Sequence, residues 1–175
     1  MSTGESDFRG WVAEGRADLR RTAYLLCGDW YLADDLVQET LARMFSVWER
    51  VTRSGPPDAY ARKVLLNLAL DHRRRPSRRE VAAAVLPERV SPEEATYVDG
   101  DGPAVIAALQ DVPAGQRAVL VLRYWEDRSI EETARLLGTS EGNVKSQSSR
   151  GLVALRSALA ERGISAELEP EEASS

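Results

Sequence analysis

The chain has 175 residues, a formal net charge of −5, 43% hydrophobic residues, one cysteine and one histidine. That length allows one domain or two small units, each able to bury a modest core, and the acidity argues against a protein held on DNA by bulk electrostatics. A lone cysteine, Cys27, excludes an internal disulfide; with one histidine and no glycine-rich phosphate loop, no metal, no cofactor and no familiar catalytic constellation is expected.

Ala, Leu, Arg and Glu dominate while alternating β-branched and aromatic runs are missing, so the predicted fold class is all-α. The first helix runs from Phe8 to Leu26 on the pattern Phe8, Trp11, Val12, Leu19, Ala23, Leu26 and ends at Cys27-Gly28. In that apolar run Cys27 reads as a small buried hydrophobe. Asp29 is a suitable N-cap for a second helix, Trp30 to about Val51, which buries Leu36, Val37, Leu41, Met44, Phe45 and Trp48 in part. It stops before Ser54-Gly55-Pro56-Pro57, where two prolines and a glycine enforce a loop. Within this helix D-D-L-V-Q-E-T-L-A-R-M-F groups Asp34, Asp35, Gln38 and Glu39 on an acidic face that DNA would repel. That face suits protein docking, although taken alone it reads by default as the exposed face of an amphipathic helix.

A third helix follows through A-Y-A-R-K-V-L-L-N-L-A-L-D-H-R-R-R and is halted by Pro76, since the residue before a proline is pushed out of the helical region. Asn67, the polar residue inside V-L-L-N-L-A-L, falls on one stripe with Tyr60, Lys63, Asp71 and Arg74. Its amide can read a base edge while neighbouring cations track a phosphate backbone, although a structural asparagine would show the same pattern. Arg73, Arg74 and Arg75, with Arg78 and Arg79, form a basic cluster that is otherwise a solvated surface. Residues 1–76 make a first unit. Residues 77–102, with scattered Pro and Gly and a shift from basic to acidic, read as a flexible linker, and helical pattern resumes over 103–109 and 113–125.

The second unit, 103–162, ends in a helix-turn-helix. Ser129 and Glu132 have capping-box spacing, Ile130, Ala134 and Leu137 recur on one face, and Gly138 can supply the left-handed residue that ends a helix. Ser140 then caps a second helix whose inner side carries Val144, Ser148, Gly151, Leu152, Leu155 and Leu159. Its outer side carries Asn143, Ser146, Ser149 and Arg150, with Lys145 at the flank, donors and small residues suited to a major groove. A plain two-helix hairpin with a polar outer face remains the alternative. Residues 163–175 are acidic and short of apolar side chains, so a disordered tail is expected. No stretch approaches the roughly 20 apolar residues of a membrane span, and the N-terminus lacks the basic and apolar regions of a signal peptide. A cytoplasmic protein without membrane insertion is the expectation.

Three motifs in this order, D-D-L-V-Q-E-T-L-A-R-M-F, L-L-N-L-A-L-D-H-R-R-R and V-P-A-G-Q-R-A-V-L-V-L-R-Y-W-E-D-R-S-I-E-E-T-A-R-L-L-G-T-S-E-G-N-V-K-S, resemble the bacterial extracytoplasmic-function sigma factors. Within them the chain is similar to the actinobacterial SigE-like group. The resemblance spans about Phe8 to Leu159 and implies two helical domains, sigma-2 and sigma-4, joined by the linker. It implies that Asp35, Gln38, Glu39, Leu41 and Phe45 dock on the clamp helices of the RNA polymerase β′ subunit, and that sigma-4 engages the β flap. It places Arg62, Lys63, Asn67, Arg73, Arg74 and Arg75 at the promoter −10 element, with the loop from Arg53 to Asp58 as a pocket wall. Ser140, Asn143, Lys145, Ser146, Ser149 and Arg150 fall at the −35 element, where S-Q-S-S-R departs from many relatives in carrying small residues. The implied protein is a monomer when free, catalyses no covalent reaction, and has core polymerase, promoter DNA and an anti-sigma factor as candidate partners. The rival readings are a stand-alone helix-turn-helix regulator that binds an operator without polymerase, and a scaffold that binds core without initiation.

Overall fold

The computed structural model describes residues 3–74 and 102–165; the expected linker and most of the expected tail lie outside the described residues. Among the described residues the fold is entirely helical. Three long helices come first: α1 (Thr3–Cys27), α2 (Trp30–Ser54) and α3 (Pro57–Arg74). The second group is α4 (Gly102–Asp111), α5 (Ala114–Leu120), a π-helical turn (Val121–Trp125), α6 (Ile130–Leu137) and α7 (Glu141–Glu161).

Local chemistry sets most of these boundaries. Asp29 caps α2 by accepting from the backbone N–H groups of Tyr31 and Leu32, and the break after it is short because Pro57 opens α3. The loop expected at 54–57 is therefore only Gly55 and Pro56 outside helix. Ser129 and Glu132 form the reciprocal capping box at the start of α6, and Gly138 ends that helix with φ +65°. Ser140 caps α7 by accepting from the Asn143 N–H. Two local readings need correction. The α1 helix starts at Thr3, five residues before the first periodic apolar position, and the helix expected over 113–125 changes to π geometry at Val121.

The main core contains Leu19, Ala23 and Leu26 of α1, Leu36, Val37 and Met44 of α2, and Leu65 and Leu66 of α3. It continues without a break into Leu109, Val112, Leu120, Val121, Leu122 and Leu136 of the second group. Both groups contribute to this one cluster, and the smaller clusters, Ala108–Ala158–Leu159 and Val119–Ala134–Val144, hold α7 and α6 onto the rest. The reason is geometric. The α4–α5 hairpin is too small to cover both of its faces, so the side opposite α7 is covered by α1 and α3.

A buried arginine rivets this junction. Arg117 of α5 is 1% exposed and donates from Nε to Leu109 O, from Nη1 to Leu26 O, and from Nη2 to Gln110 O and Val112 O. Leu26 lies in the last turn of α1 and Leu109 and Gln110 in that of α4, where carbonyls lack partners within the helix. Neither last turn has a basic residue of its own, so one guanidinium from α5 serves the negative ends of both helices. Gln110 adds a bond from Nε2 to Leu25 O and lies against Gly28, which ends α1 at φ +72°.

Candidate nucleic-acid and partner interfaces

The acidic face of α2 is left outside the core. Asp35, Gln38 and Glu39 are exposed, Leu41 is half-buried at the edge, and Phe45 is 57% exposed. Asp34 does not belong to this face, because it turns toward α1 and accepts from Arg20 Nε at 2.6 Å, while Arg20 also lies over the Trp30 ring. Glu39 pairs with Arg43 one turn on, an exposed pair worth less than about 1 kcal/mol. Phe45 is held from behind by an aromatic cluster: it meets Phe8 edge-on at 5.2 Å, and Phe8 in turn meets Trp48 and Trp11. The indole N–H of Trp11 donates to Asp58 at the start of α3, which ties the cluster to the third helix. Ala42 and Ser46 are exposed on the same face and were missed by sequence reasoning; extending the i, i+3, i+4 walk from Asp35 would have found them.

On α3 the predicted polar stripe is present, with Tyr60, Lys63, Asn67 and Asp71 all exposed. The opposite side, Ala61, Leu65, Leu66, Leu68 and Ala69, is buried, so Asn67 is not a core amide. Arg73 and Arg74 end the helix, nothing is described of their side chains, and Arg75 lies outside the described residues. Arg62 differs from its neighbours. Its side chain is 14% exposed and its Nε donates at 2.6 Å to Glu126 Oε2, a carboxylate of the second group.

On α7, Asn143, Lys145, Ser149 and Arg150 are exposed, Ser146 is half-buried, and Val144, Gly151 and Leu159 face inward. Gly151 sits where a Cβ would lie 3.1 Å from Leu120, so the small residue permits close packing of α7 on α5. The exposed Ser140 Oγ is engaged in its cap, and the Asn143 amide donates to Thr139 Oγ1. Lys145, Ser149 and Arg150 therefore project from a helix whose N-terminal turn is rigidly capped. In α6 the backbone N–H of Ser129 and its hydroxyl hold the Glu132 carboxyl below the usual carboxylate range.

Among the described residues no group of His, Cys, Asp and Glu could hold a metal ion, and no helix is long and apolar enough to cross a membrane. Cys27, expected to be buried, is half-buried and directs its thiol to Asp29 O.

The model of sigma-70 region 2 matches residues 11–79 and that of sigma-70 region 4 matches residues 103–155. The chain is 39% identical over 168 residues to an RNA polymerase sigma-E factor of Streptomyces coelicolor, covering 95% of this chain and 94% of that one. It is 34% identical over 161 residues to the ECF RNA polymerase sigma factor SigL of Mycobacterium tuberculosis, covering 89% and 90%. Among solved structures it resembles the sigma factor RpoE of Bartonella quintana, crystallised with the anti-sigma factor NepR, at a TM-score of 0.70 and 26% identity over 88% of this chain and 97% of that one. Two sigma-70 regions in order, and relatives matched over nearly their whole length, mean that the chain belongs to the extracytoplasmic-function branch of the sigma-70 family of RNA polymerase sigma factors.

Proposed function

We propose that this sigma factor divides promoter-specific initiation among three exposed faces. The α2 face, Asp35, Gln38, Glu39, Leu41 and Phe45, docks on the clamp helices of core RNA polymerase, with Ala42 and Ser46 allowing close approach. The α3 stripe reads the −10 element, where Asn67 meets an unstacked base and Lys63 and Arg62, followed by Arg73, Arg74 and Arg75, track the strand. The α7 face reads the −35 element, with Lys145 and Arg150 on phosphates and Ser140, Asn143, Ser146 and Ser149 close to the groove. Sigma-4 also engages the polymerase β flap. An anti-sigma partner is supported by the solved relative, which is bound to one.

The observation that carries this reading over a stand-alone regulator is the acidic α2 face. It is turned away from the core and would repel DNA, so it serves a protein partner. Core polymerase then supplies most of the promoter affinity, and a net charge of −5 conflicts with nothing.

Run-off transcription of fragmented genomic DNA by actinobacterial core polymerase, with and without the protein, tests it. Discrete 5′ ends that share a pair of upstream elements are expected. Specific DNA binding by the protein alone, with no new transcripts, would replace the sigma reading with that of a conventional regulator. Glu39→Lys locates the docking face: the weak Glu39–Arg43 pair makes folding indifferent to the change, while core binding should be lost. Retained transcription would remove that face from the interface.

A further inference from the structure

The start of α3 has little of its own to hold it in place. No side chain of residues 52–60 is buried, and the first core residue of α3 is Ala61. Pro56 and Pro57 have no backbone N–H to give, and Pro56, which precedes the helix, has no side-chain acceptor for the N–H groups of the first turn. The hydroxyls of Thr52 and Ser54 bond to carbonyls of α2, and Arg53 pairs with Glu49 on that same helix. Among the described residues, the side-chain hydrogen bond that joins this stretch to another element comes from α1, where Trp11 Nε1 donates to Asp58 Oδ1 at 3.1 Å. The donor is itself fixed. The Trp11 ring lies 5.9 Å from that of Phe8 and 5.3 Å from that of Trp48, which is 8% exposed. One indole therefore links all three helices, and because packing has already ordered it, little entropy is lost in making the bond. The tether also leaves the α3 stripe free, since Asp58 and Asn67 lie on opposite sides of the helix: nine positions at about 100° each come to about two and a half turns.

We propose that Trp11 is a positioning residue for −10 recognition: through Asp58 it fixes the turn between α2 and α3 and the start of α3, and with them the exposed ring of Tyr60, which opens the stripe. The inference rests on the assignment of α3 to the −10 element. A turn already in place needs no ordering when the strand arrives, and it discriminates because a wrong base meets a surface that does not yield. Without the bond the turn shifts to accommodate right and wrong bases alike. The loss therefore falls on discrimination between −10 sequences and not on the docking of α2 to core polymerase.

The test uses the full chain with core polymerase, on a promoter that the wild type recognises and on the same promoter with each −10 base replaced. Trp11→Phe keeps an aromatic ring in the cluster and removes the donor. It should lower the preference for the native −10 bases about fivefold, the effect of one hydrogen bond, with core affinity within about twofold and the melting midpoint within about 4 °C of wild type. Asp58→Leu should lose as much, the double variant should lose no more than either single one, and Asp58→Asn, which keeps an acceptor oxygen, should restore most of the loss. Unchanged discrimination in Trp11→Phe, additive losses in the double variant, or a fall in core affinity that matches the fall in transcription overturns the proposal. Amide hydrogen exchange at residues 58–61 reads the tether without DNA and should quicken in Trp11→Phe. Quickened exchange with no promoter-directed transcript from the wild type would leave the tether standing and remove the sigma reading; accurate transcription by the wild type with unchanged exchange in the variant would do the reverse.

Discussion

Replacing Arg117 with leucine should be among the most damaging single changes in this protein. The side chain is 1% exposed and its guanidinium serves four carbonyls, those of Leu26, Leu109, Gln110 and Val112, at 2.6 to 2.8 Å. Leucine fills part of the volume and satisfies none of them. A buried acceptor left without its donor costs about 1–3 kcal/mol, but Leu109 O keeps the Val112 N–H and water can enter the vacated space, so the four penalties do not all survive. A loss of about 3–5 kcal/mol is expected, the scale found when one partner of a buried charged network is removed. For a chain of this length each kcal/mol lowers the melting temperature by about 2–4 °C, so the midpoint should fall by roughly 6–20 °C. Thermal melts of wild type, Arg117→Leu and Arg117→Lys followed by circular dichroism test this. Lysine keeps the charge but lacks the planar fork that spans two helix ends, so it should fall between the two. A midpoint within about 2 °C of wild type for the leucine variant, or a lysine variant indistinguishable from wild type, would refute the account of Arg117 as the rivet between the two halves.

Gly28→Ala should destabilise by about 2 kcal/mol, because φ is +72° there and the added Cβ would come within 2.6 Å of the Gln110 side chain, displacing its bond to Leu25 O; chemical denaturation that shows no loss would contradict this. Since the Glu132 carboxyl is held below its ordinary value of 4.5, its contribution is complete above that value and disappears as pH falls through the lowered one. The melting difference between wild type and Glu132→Ala should therefore be present at pH 7 and shrink as pH falls below 4.5, and a difference that widens with acid would be the wrong sign. Asn67→Ala should leave stability within about 0.5 kcal/mol, since the residue is exposed, while initiation falls about tenfold, the effect of losing roughly 1–3 kcal/mol of base recognition. Initiation at the wild-type rate would take Asn67 out of the −10 contact.

Much of the local structure was legible because its causes are local. The Asp29 and Ser140 caps, the Ser129–Glu132 box and the Gly138 stop act within four residues, and the 3.6-residue pattern divides α3 and α7 into buried and exposed sides as the sequence implies. The candidate faces follow from the same periodicity, since a residue opposite a core stripe has no other place to go. The π-helical turn was not legible: Val121 to Trp125 reads as helix in any window, and the change of pitch serves the contacts that the following loop makes.

The sequence by itself determined the helices, their capped ends, the polar stripes on α2, α3 and α7, and the family to which their order points. Only the tertiary structure decided that the two halves share a core, that Asp34 belongs to Arg20, and that Arg62 faces a carboxylate. Arg117 reaches 91 residues back to Leu26, Glu126 is 104 residues from Thr22 and 64 from Arg62, and at such separations no spacing rule relates one residue to another. Their pairing is set by which faces the small second unit leaves uncovered and by the cost of burying a guanidinium or carboxylate without partners, and both are properties of the packed molecule.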